Sequence, residues 1–378
     1  MVEGFDIQAI GIAAPLLAPE LGLSSGALGW IFSFSNVGFV IGAALGGWLA
    51  DRIGRKPVFV GAVLMFGLFT LATALTTTFL PLFAVRFLAG MNFGAALPII
   101  VAVAAEVTKP ERRVLTAAMM FCGLPVGGAL SAFTTQALPA PIDWRILFYI
   151  GGIIPILLAP VLWTLLPETY IPAAKAARQR VSTWEALFGG GRARATLLLW
   201  ATFLPTLTML YLFLNWLPTL VAAIGIDAAV APRASLAFNL ASVAGALLLA
   251  RFVDRFSARW PLTLAYLGLI ISLVALSRAD NITAILVWSG LTGFFLLGAN
   301  FALYGVAPVF YHTEIRGTGA GASIAVGRIG AIAGPALAGI LLSGGLAASG
   351  VVAYMIPVAA VAGIAVFALS FCSVQSRD

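Results

Sequence analysis

GGWLADRIGRKP, residues 46–57, ends one long apolar run and turns into the next. It returns in weaker form as LARFVDRFSARWP, residues 249–261, with Asp51-Arg52 and Asp254-Arg255 standing 203 residues apart. The same offset lays Glu111 on Glu314 and Arg113 on Arg316. One offset that serves two separate loop pairs argues for an internal duplication and against two unrelated basic loops.

Composition says what the runs between those loops are. Hydrophobic residues fill 61% of the 378 positions and charged residues only 9%, and mean hydropathy is +1.06. A soluble domain has roughly a quarter of its residues charged, so this chain cannot cover a water-facing surface and belongs in a bilayer. A spanning helix needs about 20 mostly apolar residues. Twelve segments meet that measure, near 3–19, 27–49, 58–78, 80–105, 114–136, 146–166, 196–223, 233–253, 260–277, 282–308, 317–343 and 350–372. They predict an all-α membrane protein of two six-helix halves, 1–167 and 196–378, joined by a cytoplasmic loop over 168–195. The first run reads as a span and not as a cleavable signal peptide, since no small-residue cleavage site needs explaining.

A net charge of +7 would suit nucleic acid, but the basic residues fall mainly in short loops between apolar spans. That distribution orients a membrane protein and builds no basic groove. With the loops after the even-numbered spans in the cytoplasm, sixteen of the 21 Lys and Arg lie on that side and three lie opposite. The expectation is a multi-pass inner-membrane protein with both termini cytoplasmic. Two halves related by an axis along the membrane normal make a transporter architecture, with its site between them. Cys122 and Cys372 lie far apart inside spans and read as small buried thiols, and His312 alone makes no metal site.

The run from Gly47 to Lys56 resembles the loop signature between the second and third spans of the major facilitator superfamily. With the twelve-span pattern, the likeness covers essentially the whole chain. More narrowly, GFD at 4–6, Arg86 with Gly90 and Gly94, AEVTKPERR at 105–113, NWLPTL at 215–220 and TEIRGTGAG at 313–321 with Arg328 resemble the aromatic acid:proton symporters. The resemblance implies proton-coupled uptake of an aromatic carboxylate, such as a hydroxybenzoate or phenylpropionate, by alternating access. It implies no cofactor beyond the proton gradient, and a chain that works as a monomer in the lipid bilayer without nucleic acid. The alternative is an exporter of organic acids or drugs in the same fold. Such exporters tend to carry Gly-Pro-x-x-Gly-Gly in span five, where this chain reads CGLPVGG at 122–128. A transport-inactive sensor should carry a sizeable cytoplasmic domain, and an enzyme needs a nucleophile–base or metal constellation; the sequence offers neither.

A charge at the bilayer centre costs at least about 2.5–3.5 kcal/mol, so the intramembrane ionisable residues are the candidate site. Glu3 and Asp6 are three apart on one helical face. Two carboxylates in a poorly solvated place resist being ionised together and so take up a proton, which suits proton coupling. The alternative is that both reach the cytoplasmic headgroups. Arg86 stays protonated; the resemblance assigns it to the substrate and proton machinery, and otherwise it is a fixed partner for an acid or a carbonyl. Arg328 lies about 18 Å into span eleven by helical rise, where a guanidinium can hold the substrate carboxylate bidentately. Its alternative is an internal ion pair. Tyr304 and Trp216 are the expected ring contacts, taken from a wider set of Asn36, Asn92, Tyr211, Asn215, Asn239 and Asn300.

Gating is expected of the loops. Gly47 and Gly54 would allow close approach and a turn, while Asp51, Arg52, Arg55 and Lys56 would lock neighbouring helix ends. Glu106 with Arg113, and Arg316 in the second copy, complete that network, and Gly90 and Gly94 let helices approach. From Met1 to Pro19 is barely one bilayer thickness. The start is therefore expected to be truncated or miscalled, leaving Glu3 and Asp6 nearer water than in a longer chain.

Overall fold

The computed structural model describes residues 1–108, 113–138, 142–166, 182–256 and 259–372, with backbone alone at 105–107, 113–118 and 254. The first half comprises α1 (Val2–Glu20), α2 (Ser25–Ile53), α3 (Arg55–Ala74), α4 (Phe79–Val107), α5 (Arg113–Ala137) and α6 (Arg145–Leu165). A short α7 (Thr183–Phe188) leads to α8 (Ala193–Ala223), α9 (Pro232–Phe256), α10 (Arg259–Leu276) and α11 (Ile282–Val306). A 3-10 turn at Ala307–Phe310 precedes α12 (Arg316–Ser343) and α13 (Ala348–Leu369). Helices are the required solution here, because lipid offers backbone groups no partner. Ten are long and apolar enough to cross a membrane by length and composition. The other two long ones, α1 and α5, carry buried polar side chains: Asp6 and Gln8 on α1, Ser131 and Thr135 on α5.

The central segment departs from the loop expected over 168–195. Within its described part, α7 forms and α8 starts at Ala193. Arg192 donates to the carbonyls of Glu185 at 2.8 Å and Ala186 at 3.0 Å, and Thr196 donates to that of Leu187 at 2.7 Å. Those bonds satisfy the open carbonyls of a helix end, a tertiary contribution that six residues of sequence pattern do not announce. Lys175, Arg178 and Arg180 lie outside the described residues.

Both halves pack by one scheme. α2 lies on α4 as α9 lies on α11, α1 on α5 as α8 on α12, and α3 on α6 as α10 on α13. Between the halves, α2 meets α12, α5 meets α9 and α1 meets α8. Small residues permit this where the backbones nearly touch. A methyl group at Gly42 would strike the Met91 carbonyl, and one at Gly245 the Phe294 carbonyl. Likewise Gly90 abuts Ser35 as Gly293 abuts Phe238, and Gly127 abuts Met1 as Gly330 abuts Leu204. In each comparison both glycine and partner are displaced by 203 positions, so the offset read from the loops governs the helix crossings too.

Candidate functional site

α1 carries both acids, but the structure sends them to different places. Asp6 receives Arg86 of α4 through both oxygens, Nη1 to Oδ1 at 2.9 Å and Nη2 to Oδ2 at 2.7 Å. The Thr70 hydroxyl of α3 donates to the same Oδ1 at 3.0 Å. Both charged side chains are 3% exposed. A bidentate guanidinium–carboxylate pair with an added donor is the arrangement that makes buried charge tolerable. Arg86 is thus engaged by an acid, one of the two uses its sequence allowed.

Glu3, one turn earlier, borders the main cavity instead. The two acids keep neighbouring positions of one helical face, but Arg86 and Thr70 bond Asp6 alone. The two acids still border one small void of about 30 Å³, together with Arg86 and Asn36. Glu3 and Tyr211 line both spaces, so Glu3 stands between the ion pair and the cavity.

That cavity measures about 510 Å³ and lies between the halves, walled by α1, α3, α4, α5 and α6 on one side and α8, α11 and α12 on the other. Its walls are mostly apolar, with Glu3, Tyr211, Asn300, Tyr304 and Arg328 as polar points. Arg328 donates from Nη1 to the Tyr211 hydroxyl at 2.8 Å, and its guanidinium lies 4.2 Å from the centroid of the Phe39 ring. No carboxylate comes within ion-pair distance of it among the described residues, although Glu3 borders the same cavity. An arginine held by a phenol and an aromatic face keeps donors for an incoming anion.

Tyr304 stands in the wall, stacked on Phe121 of α5 with ring centroids 5.8 Å apart and planes 5° apart. Phe121 went unnoticed in the sequence, since one phenylalanine among 26 carries no positional signal. Trp216 does not line the cavity, contrary to expectation. It is fully buried, donates its indole N–H to the Pro335 carbonyl at 3.0 Å and meets Phe32 edge-on at 5.3 Å. Bulk and an indole donor suit it to seal the seam of α2, α8 and α12.

The end of the molecule away from the basic loops is closed between the halves. Gln8 and Asn239 exchange bonds of 2.9 and 2.6 Å. Gln136 donates to the Ala229 carbonyl at 3.0 Å and accepts from Arg233 at 2.7 Å. Gly29 and Gly339 bring α2 and α12 into backbone contact beside them. The cavity-lining residues sit toward the other end, near the basic loops.

Among the loop residues, Gly54 makes the turn: with φ 98 it ends α2 and starts α3, and its amide bonds to the Ala50 carbonyl at 3.1 Å. That conformation suits glycine alone. Gly47 is a correction, since a methyl group there would meet nothing within 4 Å; its neighbour Gly46 is the one packed, against Ala95. The Arg52 guanidinium lies 3.9 Å from the Trp48 ring centroid and the Lys56 ammonium 5.3 Å from that of Trp163. Asp51 is exposed and pairs with no described residue. Arg55 opens α3, and Arg316 opens α12 on the surface. The side chains of Glu106 and Arg113 lie outside the described residues. Gly90 and Gly94 sit against the carbonyls of Ser35 and Phe39, as close helix approach demands.

Residues 1–237 match the family model described as Major Facilitator Superfamily. The chain is 39% identical over 369 residues to the 3-(3-hydroxy-phenyl)propionate transporter of Escherichia coli (strain K12), covering 98% of this chain and 91% of that protein. It is 33% identical to the gallate transporter of Pseudomonas putida, covering 92% and 84% respectively. Among solved structures, a bacterial homolog to the human lysosomal transporter Spinster, in inward-facing and occupied conformation, superposes with TM-score 0.77. It covers 98% of this chain and 93% of that one at 18% identity, a likeness of fold.

Proposed function

This chain belongs to the Major Facilitator Superfamily, and we propose that it takes up a small aromatic carboxylate together with protons, by alternating access. It is a transporter and not an enzyme. The observation that carries the substrate class is Arg328: a cation at the wall of an aromatic-lined cavity between the halves, bound to a phenol and to no described carboxylate. A cation without its counter-charge is costly inside a membrane, and an anionic ring acid supplies both the charge and an apolar body. The names of the aromatic-acid transporters that the chain resembles support the same class.

In this reading Arg328 and Tyr211 hold the carboxylate and Tyr304 the ring. The Asp6–Arg86 pair and Glu3 form the proton machinery. Asp6 shares its charge with Arg86, while Glu3 faces the cavity and exchanges a proton as the substrate anion comes and goes. The loop residues Asp51, Arg52, Gly54, Arg55, Lys56 and Arg316 gate the basic end, and the protein works as a monomer in the inner membrane with its termini in the cytoplasm. Closure of the end away from those loops and the position of the cavity toward them are the features of an inward-open state.

Uptake of labelled 3-(3-hydroxyphenyl)propionate and 4-hydroxybenzoate into proteoliposomes tests the proposal, with an inward proton gradient imposed or collapsed. Gradient-dependent uptake that is lost in Arg328→Ala is expected. Absence of uptake of both acids by inserted wild-type protein overturns the substrate class, and uptake indifferent to the gradient overturns the coupling.

A further inference from the structure

Among the asparagines within the spans, Asn300 is the exception. Asn36, Asn92 and Asn215 each donate to the carbonyl four residues back, at 3.0, 2.9 and 2.7 Å. Asn239 does the same at 2.7 Å while pairing with Gln8. Asn300 makes no such bond among the described residues; it is 3% exposed, and its Oδ1 has no partner. An unmade bond of this kind is a standing penalty in a protein interior. The orphan lies in the wall of the cavity that holds Arg328, and its amide faces the Tyr304 hydroxyl one turn further along α11.

Tyr304 and Phe121 give that wall a flat aromatic face. A ring acid whose carboxylate is taken by Arg328 still has its own edge to place in this cavity. An unsubstituted edge leaves the Asn300 Oδ1 without a partner, whereas a ring hydroxyl supplies one by donating to it. The terminal torsion of an asparagine is broad, so the amide can turn either end toward the cavity. A hydroxyl both donates and accepts, and so satisfies whichever end it meets.

We propose that Asn300, backed by Tyr304, is a specificity-determining residue that binds a hydroxyl on the substrate's ring and so selects hydroxylated aromatic acids over their unhydroxylated analogues. This deepens, and rests on, the reading of the cavity as an aromatic-acid site. A site built to bond a hydroxyl rejects the analogue lacking it, because the site's own polar group is then left unpaired.

The test compares KM for uptake within two matched pairs: 3-(3-hydroxyphenyl)propionate with 3-phenylpropionate, and 4-hydroxybenzoate with benzoate. Wild type, Asn300→Ala and Asn300→Ser are measured in proteoliposomes. Wild type is expected to favour the hydroxylated member of at least one pair by about tenfold or more. Asn300→Ala moves that ratio toward one, chiefly by raising KM for the hydroxylated acid, and Asn300→Ser recovers part of it. The unhydroxylated acid reports correct insertion in the same vesicles, and Asn300→Ser decides the matter if the alanine variant does not insert. A ratio unchanged by substitution, or an equal loss for both acids, overturns the inference while leaving the aromatic-acid reading intact. Failure of wild type to carry any of the four acids overturns both.

Discussion

In the first half Gly42 and Gly90 bring α2 against α4; in the second, Gly245 and Gly293 bring α9 against α11 at the same crossings. The polar residues between those crossings differ. Asp6, Arg86 and Thr70 form a closed, fully buried ion pair in the first half. Their counterparts 203 positions on are Met209, Ser289 and Leu273. The second half instead holds Arg328, tied to a phenol and facing a cavity, where the first half has Pro125. Helix approach is a constraint of backbone geometry that both copies must meet. Charge placement is free to diverge, and here it separates a cation clamped by a carboxylate from one that pairs with none among the described residues.

The harshest way to break this comparison is to strand the buried acid. Arg86→Ala leaves Asp6 without its partner, and a loss of about 3–5 kcal/mol is expected, read as a large fall in melting temperature in detergent. Adding Asp6→Asn to that variant should recover much of the stability without restoring gradient-driven uptake. Arg328→Ala strands no described carboxylate, so it should lose uptake with little change in melting temperature. A collapse in stability there would erase the distinction between the halves.

Gly42→Val and Gly245→Val sharpen the mechanical side. Each forces apart the same crossing in its own half, and overpacking of this kind typically costs about 1–3 kcal/mol. Similar losses in thermal stability are expected from the two; a clear inequality would show that the duplicated crossings no longer bear equal weight. At the closed end, Gln8→Leu removes both bonds of the pair and leaves Asn239 Oδ1 buried without its donor, a loss of about 1–3 kcal/mol. The double change with Asn239→Leu should restore part of that stability, and in a cysteine-accessibility assay should open the seam from the far side more often than in wild type. The smallest effect is reserved for Gly47→Ala, which lies inside α2 and meets open space, and should raise stability by about 0.5–1 kcal/mol.

Much of the fold was legible because its causes are local or repetitive. Apolar length marks the spans, basic loops mark one face, and a single offset of 203 appears in the loops and again in the glycine crossings. The site was legible in its ingredients only. Arg86 and Arg328 read alike as lone intramembrane cations, yet one is clamped by Asp6 and the other is open to a cavity. Glu3 and Asp6 read as a pair on one helical face, yet neighbouring helices claim only Asp6. Trp216 read as a ring contact until the Pro335 carbonyl and Phe32 accounted for both its donor and its face. Asn300 was one polar residue among several, and its missing bond is visible only once the bonds of the others are known.

The sequence by itself therefore determined a duplicated bundle of helices, the end on which its basic loops lie, and the residue types needed for an anion and a proton. Solvent and backbone impose these, and both act on every residue according to its own side chain and its place along the chain. Only the tertiary structure decided which cation is neutralised, which acid borders the cavity and which amide lacks a partner. Those outcomes depend on side chains from helices 60 to 230 residues apart meeting within about 3 Å, the range of a hydrogen bond, and no local pattern along the chain encodes such a meeting.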